Sequence, residues 1–400
     1  MDSRLRRAKR VLILRQSLAS LADNLSAPYV GYYFASLSGS GTMQGLLQMS
    51  VNSVPTLAQV AAGFWLDRRG RHVALLLATS TASAAVWLLT SAVQDPGLLL
   101  ALITARAVLV GVSGLALTAL VAELFGSSKR GEVLSYLNAA AQLTALPVFA
   151  AMIFTNPSTS SLRRLFAASG AISLAASATW LTMLKLDRAR GNGGNGRVTV
   201  NGRVLRNRAF VSYTAANSLF TFSMAFAWPL FPLAQRYVLA MSVADLALLN
   251  FLSTASLMAS QYAMAKRIAG RDLLKLTLVS RAGVLMFPIV YAVSPNPTPI
   301  FVWQALSGPF VALGNIVAPL YVLEVAEPEL KASYLSIYNL AQGLAASLGS
   351  AVGGAATDRI VALKGWEGVR YGFAISAILR AVALIPLARM ARGPRAVKGA

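Results

Sequence analysis

The stretch GFWLDRRGRHVALLL, residues 63–77, places one aspartate, three arginines and a histidine between two long apolar runs. Such a cluster does not fit inside hydrocarbon, where unpaired ionised side chains are costly. It does fit a tight loop at a membrane surface that joins two spanning helices. The stretch therefore predicts a membrane protein with a short, strongly charged turn between two spans.

The overall composition agrees with a membrane protein. Of the 400 residues, 56% are hydrophobic and 12% are charged, against about a quarter charged in soluble domains. The chain contains no cysteine, which excludes disulfides, and its single histidine, His72, excludes a histidine-based metal site or proton relay. We expect neither a metal ion nor another cofactor.

Apolar runs long enough to cross a bilayer recur along the whole chain. The first run contains Asp23 and Asn24 and is too long for a signal peptide, so we read it as an uncleaved first span. The runs predict an all-α integral membrane protein with twelve transmembrane helices, spans 1 to 12, near residues 11–36, 42–66, 73–93, 97–124, 131–154, 163–186, 209–235, 242–265, 273–293, 298–324, 332–356 and 369–388.

Lysine and arginine are distributed unequally over the predicted loops. If the N-terminus is cytoplasmic, most of the 36 basic residues lie in cytoplasmic segments. The outside loops hold only Arg163, Arg164, Arg236, Arg359, Lys364 and Arg370. By the positive-inside rule, both termini then face the cytoplasmic side of the cell (plasma) membrane. The net charge of +22 reflects this topology and contact with lipid headgroups, and we expect no binding to nucleic acid.

The chain divides into two similar halves. Residues 187–208, DRARGNGGNGRVTVNGRVLRNR, form a basic, glycine-rich cytoplasmic linker between residues 1–186 and 209–400. Within the halves, the segment 123–138 resembles the segment 324–339 in sequence. This echo, together with a second one in the charged loops, predicts two six-helix pseudo-repeats that arose by duplication.

Polar side chains sort the predicted spans into two classes. Spans 3, 6, 9 and 12 contain no asparagine or glutamine, whereas the other eight carry polar stripes at helical spacing. Polar groups in a bilayer must face protein or water, so these eight spans are expected to line a central cavity. The alternative reading of any single residue is contact between helices. The candidate cavity residues are Asn24, Tyr29, Gln48, Asn52, Asn138, Gln142, Asn217, Trp228, Asn250, Gln304, Asn339 and Gln342.

The charged loop closely resembles the G-x-x-x-D-R-x-G-R/K-R/K signature of the major facilitator superfamily. The matching residues are Gly63, Asp67, Arg68, Gly70 and Arg71. The twelve spans, the repeated halves and the basic linker extend the resemblance over the whole chain. It implies a transporter that works by alternating access, in which a central site opens to one side of the membrane at a time.

For the loop itself, the resemblance implies a conformational latch. Asp67 would dock at the start of span 11, where the helix dipole is positive. Arg71 would pair with Glu123 at the end of span 4. The duplicate of this pair in the second half would be Arg271 with Glu324.

Two further segments resemble motifs of the same superfamily. RAVLVGVSG, which begins at Arg106, is similar to the R-x-x-x-G motif of proton-coupled members, with one extra residue before the glycine. ALPVFAA, residues 145–151, is similar to the G-P-x-x-G-G motif of drug antiporters, with alanines in place of two glycines. The resemblances imply proton coupling and export.

Asp23 and Arg106 are opposite charges at similar depth in two polar spans. Asp23 lies ~18 Å from the cytoplasmic end of span 1 at 1.5 Å per residue. Two such charges invite pairing, and an aspartate with a movable arginine neighbour can take up a proton. The alternative is a static ion pair. Arg281 and Arg380 lie in spans 9 and 12, where we expect snorkelling or pairing between helices rather than contact with substrate.

These features predict a secondary active transporter, with proton-coupled export of drug-like compounds or metabolites as the leading function. The alternatives are an uptake permease or facilitator for a neutral or small organic solute, and a transport-inactive sensor on the same scaffold. We do not expect an enzyme, because the sequence shows no nucleophile–base set, metal cluster or phosphate-binding loop. The expected partners are a small-molecule substrate, protons and lipids, and we expect a monomer.

Overall fold

The computed structural model describes residues 3–59, 62, 72–184, 202–264, 268 and 270–392, with the side chains of 3, 4 and 126–128 excepted. Within these ranges the regular structure is helical and no strand occurs. This confirms the predicted all-α architecture. The charged loop at residues 63–71 and most of the predicted linker lie outside the described residues.

The helices of the first half follow the predicted spans closely. Span 1 is the helix Ser3–Ser38, span 2 begins as Gly41–Asn52, and span 3 is His72–Ala92. Asp95 caps the next helix by accepting a hydrogen bond from the amide of Leu98 at 2.7 Å. The remaining elements are the helix Pro96–Thr155, which holds spans 4 and 5, the helix Leu162–Ala178 of span 6, and the 3₁₀ turn Thr179–Met183 that follows it.

The prediction of a loop between spans 4 and 5 was wrong, because the backbone is helical without interruption from Pro96 to Thr155. No proline interrupts the segment between the spans, and its flanks are good helix formers. Arg106 and Ala141 nevertheless contact adjacent residues of span 1, Asp23 and Asn24, so the helix bends sharply between spans 4 and 5. Lys9 pairs with Glu132 at 2.8 Å, whereas Asp23, farther along span 1, pairs with Arg106.

The second half also keeps its six predicted spans. Span 7 is interrupted, since its helix Arg208–Phe226 is followed by a short helix Leu230–Leu233 and a π-helical turn Ala234–Val238. The other spans are Val243–Met264, Leu273–Val293, Thr298–Val325, Lys331–Lys364 and Val369–Arg392, for spans 8 to 12 in order.

The break in span 7 leaves carbonyl groups that side chains of neighbouring spans satisfy. Pro229 cannot donate an amide hydrogen bond, so the helix ends just before it. Arg380 of span 12 donates to the carbonyl of Met224 at 3.2 Å and to that of Val284 on span 9 at 2.7 Å. Ser376 donates to the carbonyl of Ser223 at 2.9 Å. Arg380, 1% exposed, therefore joins span 12 to spans 7 and 9 by hydrogen bonds.

Eight helices in the described ranges are long and apolar enough to cross a membrane. They correspond to spans 3, 4, 5, 6, 8, 9, 10 and 12. Spans 1, 2, 7 and 11 fall short of this criterion, and these four carry polar stripes. In spans 2 and 7 the described helices are also short, at 12 and 19 residues.

The residue contacts divide the chain into two compact units whose borders differ from those of the sequence halves. The first unit contains Met1–Ser38, Val54–Arg197 and Ser242–Phe251. The second contains Gly39–Ser53, Val198–Met241 and Leu252–Ala400. The start of span 2 therefore packs within the second unit.

Each unit has its own core. In the first unit, Leu12, Leu76 and Trp180 pack together with apolar residues of spans 4 and 5. In the second unit, Phe210 and a group of tyrosines from spans 7, 10 and 11 form an aromatic cluster. Within that cluster the rings of Tyr213 and Tyr321 are 4.1 Å apart.

Candidate functional site

The structure brings Asp23 and Arg106 together as an ion pair between spans 1 and 4. Trp87 of span 3 completes the site: its indole Nε1 donates to Asp23 Oδ1 at 3.4 Å, and the Arg106 guanidinium lies 4.4 Å from the centre of its ring. The side chain of Arg106 is 15% exposed, whereas that of Asp23 is 47% exposed. The cation is thus held by the protein while the carboxylate stays accessible.

Both contacts of Asp23 go to the same carboxylate oxygen. Arg106 and Trp87 bind Oδ1, and no other described residue donates a hydrogen bond to Oδ2. The carboxylate thus keeps one oxygen without a donor from the described residues, on a side chain that is 47% exposed.

A second arginine, Arg15 of span 1, lies within electrostatic range of Asp23. Its guanidinium donates to Gln16 Oε1 at 3.2 Å and to Ser80 Oγ at 3.3 Å, and lies 5.3 Å from the Trp180 ring. Asp23 therefore has one cation in contact and a second within electrostatic range.

Neither Trp87 nor the role of Arg15 was predicted from the sequence. Trp87 lies on a span without asparagine or glutamine, and an indole in an apolar run is ordinarily a packing residue. A basic residue inside a predicted span indicates a functional position. That indication was present for Arg15 as well as for Arg106.

In the second unit, Arg281 of span 9 contacts Asn217 of span 7. Its Nε and Nη2 atoms donate to Asn217 Oδ1 at 3.3 and 3.1 Å. Asn217 in turn donates to the carbonyl of Tyr213 at 3.2 Å. The guanidinium also lies 5.1 Å from the Phe220 ring. Of the two alternatives expected for Arg281, snorkelling and pairing between helices, the structure shows the pairing.

The candidate cavity residues differ widely in exposure. Tyr29 and Asn217 are fully buried, each 0% exposed, so packing excludes them from any solvent-filled cavity in this conformation. Gln342 joins spans 11 and 7 by accepting from Thr221 at 2.5 Å and donating to Ser218 at 3.0 Å. Most of the others are partly exposed, namely Asn24, Gln48, Gln142, Trp228, Asn250 and Gln304, and three are exposed, namely Asn52, Asn138 and Asn339.

Several of these amides bond within their own helix. Asn52 donates to the carbonyl and the side chain of Gln48 at 2.9 and 3.1 Å, and Asn250 donates to the carbonyl of Leu246 at 2.7 Å. Asn24 reaches across to span 5, where it donates to the carbonyl of Ala141 at 3.5 Å. Helix contact thus accounts for part of the polar stripes.

The predicted latch is only partly described. Gly63, Asp67, Arg68, Gly70 and Arg71 lie outside the described residues. Among the described members, the Glu123 carboxylate lies 3.7 Å from His72 Nε2.

The second predicted pair of the latch is not formed in this structure. Arg271 and Glu324 are both exposed, and no ion pair joins them in the part of the chain that is described. The neighbouring acid, Asp272, instead caps span 9 by accepting from the amides of Leu274 and Lys275.

An acidic side chain that the sequence analysis passed over, Asp358, holds the start of span 2. Its Oδ1 accepts from the amide of Gly41 at 2.5 Å, and its Oδ2 accepts from the amide of Thr42 at 2.8 Å and from Ser40 Oγ at 3.2 Å. A carboxylate at a helix N-terminus is favoured by the unpaired amides and by the helix dipole.

Small residues make this contact between spans 2 and 11 close. A Cβ atom added to Gly41 or Gly45 would lie 2.5 Å from the carbonyl oxygen of Gly354 or Ser350, respectively. Beside it, the rings of Tyr237 and Trp366 stack at 3.9 Å. The contact joins segments that are more than three hundred residues apart in sequence.

We predict that Asp358→Ala lowers the free energy of unfolding by about 1 kcal/mol at pH 7, as loss of a helix cap does. Burial raises the pKa of the Asp358 carboxyl, but the hydrogen bonds from Thr42, Gly41 and Ser40 lower it more, so the pKa is below its usual value. The stabilisation is therefore present above the unfolded pKa of about 3.9 and is lost as the pH falls through the lower folded pKa.

Thermal unfolding of the purified protein in detergent, followed from pH 7 to pH 3, measures this effect. The difference between wild type and Asp358→Ala should shrink toward the acid end. Arg359→Ala, at the exposed neighbouring position, is the control. A difference that stays constant over the whole pH range would contradict the cap.

The chain is similar in fold to solved membrane transporters. The nucleoside transporter NupG superposes with a TM-score of 0.77 at 14% identity, over 96% of this chain and 99% of the other. A POT family transporter in complex with 5-aminolevulinic acid has a TM-score of 0.76 at 8% identity, over 96% and 95%. A bacterial homolog of the human lysosomal transporter Spinster has a TM-score of 0.70 at 12% identity, over 98% of each chain.

The family comparison agrees with the fold. None of the curated protein sequences compared with the chain matches it. The model of the Major Facilitator Superfamily matches residues 12–292, which is more than half of the chain. This match includes the charged loop and the spans that carry Asp23 and Arg106. The chain is a member of the Major Facilitator Superfamily of membrane transporters.

Proposed function

We propose that the chain is a proton-coupled secondary transporter that exports a small solute, a drug-like compound or a metabolite, by alternating access. The observation that carries the proposal is the accessible Asp23 carboxylate beside a largely buried Arg106. Coupling requires a group whose proton affinity differs between two conformations. A carboxylate that loses its arginine neighbour during a conformational change meets that requirement.

Asp23 is well placed for this role among the acids of the chain. Four arginines of the described spans lie away from the span ends, namely Arg15, Arg106, Arg281 and Arg380. Among the described ion pairs, the one that any of them forms joins Arg106 to Asp23. The other described ion pairs, such as Lys9 with Glu132, lie near span ends or in loops.

We also propose a membrane location, an orientation and an oligomeric state for the protein. The distribution of basic residues supports a location in the cell membrane with both termini cytoplasmic. It also implies contact with anionic lipid headgroups on that side. We propose that the transporting unit is a monomer, because each chain carries both repeats.

A thermal-shift screen against a broad set of small solutes, repeated at several pH values, identifies ligands, since a ligand stabilises the state it binds. Counterflow of the identified ligand in proteoliposomes then tests transport. A ligand that stabilises the protein but shows no counterflow would favour a sensor over a transporter.

For the latch, we predict that Asp67→Asn and Arg71→Ala each reduce transport severalfold without preventing membrane insertion. Both residues lie in the loop that matches the superfamily signature, and their loss should favour one facing state. The wild type has no cysteine, so single cysteines placed at each end of the spans report access to labelling reagents. Unchanged labelling in both variants would argue against a latch.

A further inference from the structure

Arg281 lies on span 9, yet its guanidinium reaches side chains of the spans with polar stripes. It donates two hydrogen bonds to Asn217 of span 7 and packs on the Phe220 ring of the same span. Its Nη1 atom lies 3.8 Å from the position that a Cβ atom would occupy at Gly314 of span 10. The Tyr338 hydroxyl of span 11 is also within its reach. A Cβ atom at Gly314 would lie 2.5 Å from Ser280 Oγ, so the missing side chain allows spans 9 and 10 to pack closely beside Arg281.

No acidic partner neutralises Arg281 in the described part of the second unit. The ion pair described in that unit joins Arg370 to Glu367, near the end of span 12. The side chains that Arg281 contacts, namely Asn217, Phe220 and Tyr338, carry no negative charge. In the first unit, by contrast, Arg106 meets the carboxylate of Asp23. A cation inside a span without an anion is costly, so its presence calls for an explanation.

A comparison with Arg380 separates a structural arginine from one that can bind a ligand. Arg380 is 1% exposed and donates to two backbone carbonyls, those of Val284 and Met224. Arg281 is partly exposed, and its hydrogen bonds to Asn217 converge on a single side-chain oxygen. A guanidinium has five donors, so Arg281 retains donors for an anion that approaches from the exposed side.

We propose that Arg281 binds the carboxylate of the transported solute, and that the solute is a small organic anion. The proposal rests on the transporter function proposed above. A guanidinium recognises a carboxylate through paired hydrogen bonds. The buried Phe220 ring packs against one side of the guanidinium, so a carboxylate would approach Arg281 from its exposed side.

The test uses pairs of compounds that differ in charge and little else. The probes are benzoate with benzamide, hexanoate with hexanamide and indole-3-acetate with indole-3-acetamide, with tetraphenylphosphonium as the cationic probe. Each is titrated against the purified full-length chain by thermal shift. The variants are Arg281→Gln, which removes the charge, Arg281→Lys, which keeps it, and Arg389→Gln, which removes a charge in the last turn of span 12.

We expect at least one carboxylate to stabilise the wild type while its amide does not. Arg281→Gln should weaken the apparent affinity about tenfold or more, as loss of a charged hydrogen bond does. Arg281→Lys should restore part of it, and Arg389→Gln should bind as the wild type does. A carboxylate response that persists in Arg281→Gln overturns the proposal, and so does a response confined to amides or to the cation. A lack of response to every carboxylate counts against it equally.

Two results separate failure of the carboxylate site from failure of the transporter function. Carboxylate binding that depends on Arg281, without counterflow in proteoliposomes, would leave the site in place and remove the transport. Counterflow of a neutral or cationic solute that is unchanged in Arg281→Gln would leave the transport in place and remove the site. If Arg281→Gln fails to fold, Arg281→Lys replaces it. The preference for carboxylate over amide is then compared between Arg281→Lys and wild type, and an unchanged preference overturns the proposal.

Discussion

Asp23→Asn is expected to abolish accumulation of solute driven by a pH gradient while leaving ligand binding measurable. Asparagine keeps the size of the side chain and can still accept from Trp87 and Arg106, but it cannot take up a proton. One pH unit is worth about 1.4 kcal/mol, which can drive roughly tenfold accumulation if one proton moves per solute. The variant should show an accumulation ratio near one.

Proteoliposomes with an imposed pH gradient and a ligand from the thermal-shift screen measure this ratio. Glu367→Gln is the matched control, because it removes an acid from the exposed pair with Arg370 outside the predicted spans. The control should accumulate solute as the wild type does. If Asp23→Asn also does so, the carboxylate is a fixed structural partner of Arg106.

Gly45→Leu is expected to lower the free energy of unfolding by about 1–3 kcal/mol, the usual cost of overpacking. A Cβ atom at Gly45 would lie 2.5 Å from the carbonyl oxygen of Ser350 and 3.2 Å from the Cα atom of Gly354. These are backbone atoms, so relief requires spans 2 and 11 to separate. Separation would also weaken the hydrogen bonds of Asp358 to the start of span 2.

Thermal unfolding in detergent measures the effect of Gly45→Leu. Gly131→Leu is the control, since an added Cβ atom there meets nothing within 4 Å. Leucine is a better helix former than glycine, so the control should be neutral or slightly stabilising. Equal unfolding temperatures for the two variants would show that spans 2 and 11 tolerate the extra volume.

The topology could be predicted from the sequence because a bilayer permits few solutions. Each span must satisfy its backbone within a helix, so the apolar runs and their interruptions define the helices, and the structure confirms the all-α fold. Spans 1, 2, 7 and 11 were predicted from apolar runs as well, although their described helices fall short of the length or hydropathy that the other eight reach. The helical segment between spans 4 and 5 was missed because a break in hydropathy does not require a break in the helix.

The ion pair of Asp23 with Arg106 was accessible to sequence reasoning because two opposite charges at matching depth have few partners. The reach of Arg281 was not. It depends on the rotation of span 9 and on the packing of span 7 against it, which together place the guanidinium beside Asn217 rather than at the membrane surface. A pattern of residue types does not contain these two facts.

The cap on span 2 was equally hidden. Asp358 lies just beyond the predicted end of span 11, where a single acid is ordinarily a solvated end residue. Its partners are mostly backbone amides, at Gly41 and Thr42, and backbone donors leave no mark in the sequence. The indirect signal was the pairing of glycines four residues apart on span 2, which indicates a close helix contact.

The most direct test of the central claim is substrate-dependent proton movement through Asp23. Proteoliposomes that contain a trapped pH-sensitive dye are given a gradient of the identified ligand and no initial pH difference. We expect a change of internal pH with wild type and with Glu367→Gln, and none with Asp23→Asn. Solute flux by the wild type without any change of internal pH, or an unchanged proton signal from Asp23→Asn, would contradict the central claim.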